Sequence, residues 1–420
     1  MRPYLFLCLL CLCPAPSFAD PALINVDRGI ASVSQNGGQT LIQQSSDKAI
    51  LNWNNFDLSI GSSAVFQQPS ATSLTVNRIS NTGFSTLING SVTANGRLVF
   101  INTAGIIFGE HSIVNAASLM ASTNNLLNDD VFDSDSQITF TDFDPAQGFI
   151  EANGEIKTSR GGSIILNGHN VTVRGAISGD DTNIAINTAN SMVVDLSNGT
   201  GLVSLFLIDG SITLDHADIN AQHNNINLIA GDDVTIQDSR VDAGEGNILI
   251  EAVDDVRIRR SVIQSTGGDI QIQTAPQQGR IEFIDSVIAT KGGRDLGVVS
   301  IDVDDFNNGI KQAFINDNRI VYATERGGDI SIKSARVNGN GNCIVSGNDP
   351  ACLNFPAFEV DAQRIESEQR AREEVSKTQT KSSNRMKEIT VIPAQEPAYH
   401  MNDLIRFGGD ELTNASDDED

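Results

Sequence analysis

The middle of the chain repeats a short pattern of glycine, polar and aliphatic residues about every 22 positions. GNILI at residues 246–250 returns as GDIQI at residues 268–272, and related copies begin at residues 162 and 328. In copies such as GDIQI, apolar and polar residues alternate, which is typical of a β-strand. A second strand follows in each unit, as DVTI at residues 233–236 and DVRI at residues 255–258. One unit cannot bury its own apolar face, so the units must stack.

This repeat predicts an all-β fold, a parallel β-helix with three short strands in each coil. We expect about fifteen coils between residues 23 and 337 and a loop that leaves the helix near residues 306–309. A β-sandwich is the alternative, but its strands are not normally self-similar at a fixed period. The predicted inward residues are Ile248, Ile250, Val256 and Ile258, and the predicted outward residues are Thr235, Arg257 and Gln271.

The charge balance excludes several classes of function. The chain carries 53 acidic and 28 basic side chains, a formal net charge of -25. Such a surface repels phosphate backbones, so we expect no nucleic-acid partner. Aromatic residues make up only 5%, which argues against a deep aromatic pocket. We therefore expect no cofactor.

The first 19 residues have the layout of a secretory signal peptide. Arg2 precedes an apolar run from Tyr4 to Cys13, and Ser17 and Ala19 form a small-x-small cleavage site. The run is too short for a membrane span, which needs about 18 residues or more. Beyond it, no apolar run is long enough to cross a membrane, so we predict no transmembrane segment after cleavage.

Cleavage would leave two of the five cysteines, Cys343 and Cys352. In an exported chain, two cysteines separated by a short loop favour a disulfide, and the alternative is a pair of free buried thiols. The pair lacks CxxC spacing and has no histidine nearby, so a metal site is not supported.

The N-terminal third resembles the secretion domain of filamentous haemagglutinin-like two-partner secretion (TPS) exoproteins. Several blocks carry the resemblance in the family's order, namely KAILNWNNF at 48–56, QQPS at 67–70, LTVNRI at 74–79, INGSVTANG at 88–96, FINTAGIIFG at 100–109 and NAASLMAST at 115–123. The chain departs from the family at Thr103 and Ala104, where proline and asparagine are usual. A looser resemblance continues through residues 161–199.

The resemblance implies a right-handed β-helix with an N-terminal cap. It also implies recognition by a dedicated outer-membrane β-barrel transporter, passage of the unfolded chain and folding outside the cell. The residues that the family motifs single out here, as a transporter-recognition or secretion motif, are Asn77, Arg78, Asn95, Gly96, Asn102, Gly105, Phe108 and Gly109. At any one of these positions, turn chemistry alone is the alternative.

The organisation we predict has four parts: the signal peptide (1–19), the secretion domain (20–150), β-helix repeats ending in the cysteine pair (151–356) and a charged tail (357–420). Pairs such as Glu366 and Arg370 favour an exposed helix in the tail. Its last residues are acidic and predicted to be disordered.

The sequence contains few signals of catalytic chemistry. None of the five histidines forms a ligand pair at a convincing spacing, so we predict no metal site. Acidic pairs recur, and on stacked turns they offer either calcium ligands or plain turn chemistry. Asp254 and Arg257 lie in a cluster of mixed charge that resembles the charged faces of polysaccharide-cleaving β-helices. We predict that the chain is not an enzyme.

The sequence therefore predicts an adhesin-like exoprotein, extracellular or attached to the cell surface, that binds an unidentified cell-surface, matrix or glycan ligand. One alternative is an enzyme acting on polysaccharide. Another is a scavenger of haem or of a host protein, although histidine and tyrosine are scarce for direct haem ligation.

Overall fold

The computed structural model describes residues 21–80, 83–127, 129, 137–141, 148–195, 201–207, 210–274, 279, 281–284, 286–290, 299–303, 313–315, 330–333 and 337–338. Every regular element in these ranges is a β-strand, and within them no helix is long and apolar enough to cross a membrane. Residues 1–20, the loop at 306–309, the Cys343 and Cys352 pair and the charged tail lie outside the described residues.

Three long sheets run along the molecule, and we number the strands β1 to β37 along the chain. Sheet A contains β1 (Ala22–Arg28), β4 (Lys48–Asn55), β6 (Leu74–Ile79), β9 (Arg97–Ile101), β12 (Ser118–Ser122), β17 (Ser163–Asn167), β20 (Asn183–Asn187), β25 (Ile226–Ala230), β28 (Ile248–Ala252), β31 (Ile270–Thr274), β34 (Val299–Val303) and β36 (Ile330–Lys333).

Sheet B contains β2 (Ala31–Asn36), β3 (Gln39–Gln44), β5 (Ser63–Gln67), β8 (Ser91–Ala94), β11 (Ile113–Ala116), β16 (Glu155–Thr158), β19 (Ala176–Gly179), β24 (Asp218–Asn220), β27 (Arg240–Asp242), β30 (Val262–Ser265) and β33 (Val287–Thr290). Sheet C contains β7 (Thr86–Ile88), β10 (Gly105–Phe108), β15 (Phe149–Ala152), β18 (Asn170–Val173), β23 (Ile212–Asp215), β26 (Val234–Gln237), β29 (Val256–Arg259), β32 (Ile281–Ile284), β35 (Ala313–Ile315) and β37 (Val337–Asn338).

Successive strands visit sheets A, C and B in turn, and each pairs in parallel with the strand one coil away. Thus β9, β10 and β11 form one coil, and β12 returns to pair with β9. This arrangement is a parallel β-solenoid, so the predicted β-helix is confirmed and the β-sandwich is excluded. The pairing runs without a break across residue 150, because β15 pairs with both β10 and β18.

The predicted number of coils was wrong. Sheet A has 12 strands among the described residues, fewer than the fifteen coils expected. Two stretches of chain leave the coil and form a separate antiparallel sheet, sheet D, instead of further coils. Its strands are β13 (Asn125–Leu126), β14 (Gln137–Thr141), β21 (Ala189–Asp195) and β22 (Gly201–Leu207).

The N-terminal end is built differently from the rest. β1 pairs antiparallel with β4, and β2 pairs antiparallel with β3, so both strands cap the first coil. Leu23 and Val33 from these strands pack against the end of the hydrophobic core. The expected N-terminal cap is therefore present.

The core lies between the three long sheets and follows the alternation in the sequence. Ile248, Ile250, Val256 and Ile258 are fully buried, as predicted. Thr235, Arg257 and Gln271 alternate with them and are partly exposed. Burying a large aliphatic side chain contributes about 1.5–3 kcal/mol, so each added coil strengthens the core.

A second hydrophobic cluster covers the outer face of sheet A. Its members on sheet A include Ile50, Val76, Val99, Met120 and Ile165, which occupy one register position on successive strands. Ile138, Phe140, Met192 and Val194 of sheet D pack in the same cluster. Sheet A is therefore buried on both faces in this part of the molecule.

Candidate secretion motif

The eight predicted motif residues lie on β6 to β10 and on the turns between them. Asn77, Gly96, Asn102, Gly105, Phe108 and Gly109 are buried, whereas Arg78 and Asn95 are partly exposed. The residues occupy different corners of the first coils and do not converge on one pocket. Their contacts show what each contributes to the shape of those coils.

Asn77 lies inside the solenoid, where its neighbours in register are Leu51 and Phe100. The Trp53 indole Nε1 donates a hydrogen bond of 3.0 Å to its Oδ1, and its Nδ2 donates to the Val99 carbonyl at 3.3 Å. A buried indole N–H without an acceptor is costly, which explains a polar residue at an apolar position.

Trp53 belongs to an aromatic cluster that fills the first coils. Its ring centroid is 4.9 Å from that of Phe56 in an edge-on arrangement, and Phe56 lies 5.1 Å from Phe100. Phe66 completes the cluster. Such aromatic pairs contribute about 0.5–1.5 kcal/mol beyond their buried area.

Arg78 follows Asn77 and points to the other face of β6. Its Nη2 lies 2.6 Å from a carboxylate oxygen of Asp129, and its Nη1 lies 4.0 Å from one of Asp27. Arg78 thus joins the cap strand β1 to Asp129, which follows β13 of sheet D.

Asn95 and Gly96 form the corner between β8 and β9, opposite Gln68. The Asn95 side chain exchanges two hydrogen bonds of 2.7 Å with the backbone of Gln68. The Gly96 amide donates to Gln68 Oε1 at 2.9 Å. A Cβ on Gly96 would lie 2.6 Å from that oxygen and 2.7 Å from the Ser73 carbonyl, so this corner has no room for a side chain.

Asn102 and Gly105 form the corner between β9 and β10. Asn102 Oδ1 accepts a hydrogen bond from the Ala104 amide at 3.0 Å, and its Nδ2 donates to Thr86 Oγ1 at 2.8 Å and to the Phe84 carbonyl at 3.1 Å. Gly105 has a φ of 137°, which disfavours other residues. The turn therefore forms with Thr103 and Ala104 where the family usually has proline and asparagine.

Phe108 and Gly109 lie at the end of β10. The Phe108 side chain is fully buried in the core. A Cβ on Gly109 would lie 2.3 Å from Asn89 Oδ1, which also accepts a hydrogen bond of 3.0 Å from the His111 amide. The third corner thus also depends on an asparagine and a glycine.

Gln68 was not among the predicted motif residues, although its backbone and side chain make several hydrogen bonds in this region. Besides its contacts with Asn95 and Gly96, its Nε2 lies 2.9 Å from Thr75 Oγ1. Thr75 in turn donates to Gln44 Oε1 at 2.6 Å, which links three consecutive coils. The motif at residues 67–70 contains Gln68, so the sequence already held this signal.

The charged groups considered for catalysis are engaged with each other. Arg257 Nη1 lies 2.7 Å from an Asp233 carboxylate oxygen, and Asp255 holds the other end of the guanidinium. Burial, and next the neighbouring Asp232, raise the pKa of Asp254. In the part of the chain that is described, no group of three or more histidine, cysteine, aspartate or glutamate side chains could hold a metal ion.

These features define a class of capped parallel β-solenoid domains with asparagine and glycine at their corners. The family model of the TPS secretion domain matches residues 18–301. The chain belongs to this family. The TPS secretion domain is a part of secreted two-partner exoproteins.

A solved structure with a TM-score above 0.5 agrees with the fold. The HMW1 secretion domain from Haemophilus influenzae superposes with a TM-score of 0.60 at 20% identity, over 78% of this chain and 98% of that one. The filamentous hemagglutinin secretion domain gives a TM-score of 0.38 at 12% identity, over 75% of this chain and 100% of that one.

Two curated relatives share shorter stretches. A heme/hemopexin-binding protein from Haemophilus influenzae is 34% identical over 98 residues, which is 23% of this chain and 11% of the relative. A second protein of that name and species is 35% identical over 85 residues, 20% of this chain and 9% of the relative. The matches thus span about a tenth of these relatives.

Proposed function

We propose that this protein is exported across the outer membrane by a dedicated β-barrel transporter, after removal of residues 1–19 as a signal peptide. The observation that carries the proposal is the TPS family match over residues 18–301, on a continuous capped solenoid. The protein then resides outside the cell or on its surface.

The architecture suits export of an unfolded chain. Each strand of the three long sheets pairs with strands of the adjacent coils, so a coil needs mainly its neighbour in order to fold. A chain that emerges from a pore can therefore fold one coil at a time. Folding outside would oppose backward movement through the transporter.

We further propose that the eight motif residues support export by shaping the first coils. Asn102→Ala together with Gly105→Val should reduce the exported fraction severalfold. The double variant removes the acceptor of the Ala104 amide and places a β-branched residue at a φ of 137°. Immunoblots of supernatant, cell surface and periplasm, with and without the transporter, measure this fraction.

Asn167→Ala is the matched control, because Asn167 is equally buried but lies outside the motif blocks. Export that falls in the double variant more than in this control supports a secretion motif. Equal losses would assign the motif residues to stability alone. Wild-type protein that leaves the cell without the transporter would contradict the export route.

Outside the cell, we propose an adhesin-like binding role. The outer face of sheet C presents a regular polar column that includes Thr172, Thr213 and Thr235 at one register position. Such a polar, partly exposed face suits contact with a cell-surface, matrix or glycan ligand. Purified mature protein should bind host cells or an array of matrix proteins and glycans, and absence of binding to all of them would contradict this role.

A second candidate is the capture of haem or of a haem-carrying protein. It is favoured by the two relatives named heme/hemopexin-binding protein. Titration with haemin, followed by absorbance, and with hemopexin, followed by biolayer interferometry, separates direct haem binding from protein capture. Binding of neither would leave the adhesin-like role.

We do not propose an enzymatic role. Arg257 is already paired with two carboxylates, so its charge is largely neutralised locally. An Asp254→Asn variant that abolished a measurable cleavage of polysaccharide would restore the enzyme hypothesis.

A further inference from the structure

Sheet D is assembled from two stretches of chain that leave the solenoid at different points along the sequence. The first stretch follows β12 and contains β13 and β14, and the chain returns to the coil at β15. The second stretch follows β20 and contains β21 and β22, and the chain returns at β23. The strands β15 to β20 lie between the two stretches and continue the solenoid. Sheet D therefore joins segments that are separated by further coils.

The first stretch has little support without the second. In sheet D, β14 lies between β13 and β21. Its pairing with β13 covers two residues of each strand, whereas its pairing with β21 covers five. A hairpin of two strands is marginally stable in water even when it is longer than this. Most of the strand pairing that holds β14 in place thus comes from β21.

Sheet D covers side chains of the first coils that would otherwise face water. One outward register position of sheet A is apolar from β4 to β17, as Ile50, Val76, Val99, Met120 and Ile165. Beyond Ala185 the same position is mixed, as Asn227, Leu249 and Gln271. The buried side chains that sheet D packs in the same cluster are Ile138, Phe140, Met192 and Val194. Removal of this cover would expose a continuous row of apolar side chains, which is unfavourable in water.

The base of sheet D joins residues from three parts of the chain. Asn124, just before β13, donates a hydrogen bond of 2.6 Å from Nδ2 to the Ala189 carbonyl. Asn167, at the end of β17, donates from Nδ2 to the same carbonyl at 3.0 Å and accepts from the Ala189 amide at 3.0 Å. All three residues are buried. Because buried amides need partners, the start of the first stretch is satisfied here only when Ala189 is in place.

The second stretch is fixed to the solenoid where it leaves and where it returns. Thr188 Oγ1 donates to the Gly210 carbonyl at 3.2 Å and accepts a hydrogen bond of 2.8 Å from the Gly231 amide. A Cβ on Gly210 would collide with the His169 carbonyl, so the return of the chain needs glycine. The position of β21 is thus set by the coils beside it as well as by β14.

We propose that docking of β21 is the step that closes sheet D and makes the first coils, built by β4 to β12, resistant to local unfolding. Before docking, β14 has little support and the outer face of sheet A is open to water. After docking, local unfolding of β6 or β9 requires that β21 separate as well, because they share one hydrophobic cluster. This coupling is a property of the folded chain, so it goes beyond the export route and does not depend on it.

A pair of single substitutions in the full chain tests the coupling. Met192→Ala removes a buried side chain of β21 that packs in the cluster with sheet A, and Ile236→Ala removes one of similar size from the core of the later coils. Hydrogen exchange followed by mass spectrometry reports on each coil separately. Met192→Ala should speed exchange of β6 and β9 about tenfold and leave β26 and β29 unchanged, and Ile236→Ala should do the reverse. Exchange of β6 and β9 that stays as in the wild type, or a uniform rise along the solenoid, would overturn the proposal.

A second variant closes sheet D without removing a core contact. Thr139 and Val193 lie opposite each other on β14 and β21, and both are partly exposed. Thr139→Cys with Val193→Cys places two thiols where a disulfide can join the strands. Oxidation should slow exchange of β6 and β9 about tenfold relative to the reduced form of the same variant.

The matched control for the disulfide is Thr172→Cys with Thr213→Cys, because these residues are register neighbours on sheet C and lie outside sheet D. Oxidation of the control should leave β6 and β9 unchanged. An equal effect of both disulfides on β6 and β9, or no effect of the one in sheet D, would count against the coupling.

The order of folding provides a third test. During refolding of the purified chain from urea, pulses of hydrogen exchange should show β6 and β9 becoming protected in the same phase as β14 and β21. Stable protection of β6 and β9 in an earlier phase than β21 would overturn the proposal. These measurements use purified protein, so a failure of the proposed export route would leave their outcome unchanged.

Discussion

The first coils and the later coils of this solenoid are stabilised in different ways. The first coils contain Trp53, Phe56 and Phe100 in edge-on and tilted contacts, together with the buried amides of Gln68 and Asn77. The later coils contain aliphatic residues at equivalent positions, such as Leu228, Ile250 and Ile272. The first coils are therefore stabilised by contacts that differ from strand to strand, whereas the later coils repeat the same aliphatic contacts.

The repetition extends to the polar corners. The Ala217 amide donates to Ser239 Oγ at 3.0 Å, the Ser239 amide to Ser261 Oγ at 3.1 Å and the Ser261 amide to Ser286 Oγ at 3.2 Å. At another corner, Asn225 and Asn247 each accept a hydrogen bond from the backbone of the next coil. These ladders satisfy backbone groups that would otherwise be buried without partners.

The end of a solenoid needs its own unique contacts, whereas its interior can repeat one set of contacts. A later coil finds the same side chains above and below it. The first complete coil instead meets antiparallel cap strands, so it needs residues that fit that boundary. This explains why the motif blocks of the family occur here and why they are irregular.

The largest expected effect is at the aromatic end. Phe100→Ala should lower the free energy of unfolding by about 3–5 kcal/mol, because it opens a cavity among Trp53, Phe56 and Phe66. Ile250→Val in a later coil should cost only about 0.5–1.5 kcal/mol. Urea denaturation of the purified chain measures both. Similar losses at the two sites would contradict a difference in stabilisation between the first and the later coils.

The next effect depends on pH and concerns Glu251, which is buried on the outer face of sheet A. Its register neighbours are Ile229 and Gln273, and its Oε2 has no hydrogen-bond partner among the described residues. Burial raises the pKa of Glu251 to about 7, against the opposing hydrogen bond from Gln273. Below its ordinary value of 4.5, the group is protonated in both folded and unfolded states.

Between pH 4.5 and 7 the folded protein binds more protons than the unfolded chain, so stability falls as pH rises through this window. Glu251→Gln stays neutral and should be more stable than the wild type at pH 8 by up to about 3 kcal/mol. The two should converge at pH 4. Thermal melts at both pH values test this, with exposed Glu110→Gln as the control that should show no such difference.

A smaller effect concerns the attachment of sheet D. Asn167 Nδ2 donates to the Ala189 carbonyl at 3.0 Å, and its Oδ1 accepts from the Ala189 amide at 3.0 Å and from Asn187 Nδ2 at 2.9 Å. Asn167→Ala removes the acceptor of the Ala189 amide and of Asn187 Nδ2, at a cost of about 1–3 kcal/mol, whereas the Ala189 carbonyl keeps its hydrogen bond from Asn124 Nδ2. Limited proteolysis should then cut faster next to β21. Cleavage unchanged from that of exposed Asn36→Ala would contradict this.

The smallest effect is on the charged surface of the later coils. Arg257→Ala breaks its ion pairs with Asp233 and Asp255, but these groups are partly exposed to solvent. The stability change should be within about 1 kcal/mol and should shrink in high salt. A larger loss that persists in 1 M salt (a concentration that screens surface charges) would mean that the later coils also depend on unique contacts.

Much of this architecture could be predicted from the sequence. The alternation in GDIQI, aligned with GNILI by the repeat, predicts the inward positions of Ile248 and Ile250, because strand periodicity requires no long-range information. Sheet D was not predicted. The sequence signal for sheet D was a run of consecutive apolar residues in strands such as β17. Ile164, Ile165 and Leu166 are all buried there, because both faces of the strand are covered.

The motif residues could be found from the sequence, but not their environment. Asparagine and glycine in the blocks predicted turns, and Asn102 and Gly105 form one. The burial of Asn77 beside Trp53 could not be read from the blocks, because it depends on two strands from different coils meeting in register.

The sequence by itself determined the strand pattern, the stacking of repeats and the family, since each rests on local order along the chain. Only the tertiary structure decided that sheet D covers one face of sheet A and that Gln68 joins consecutive coils. These features arise where residues distant in sequence pack together, and the physical reason is that burial and hydrogen-bond satisfaction are properties of the folded neighbourhood.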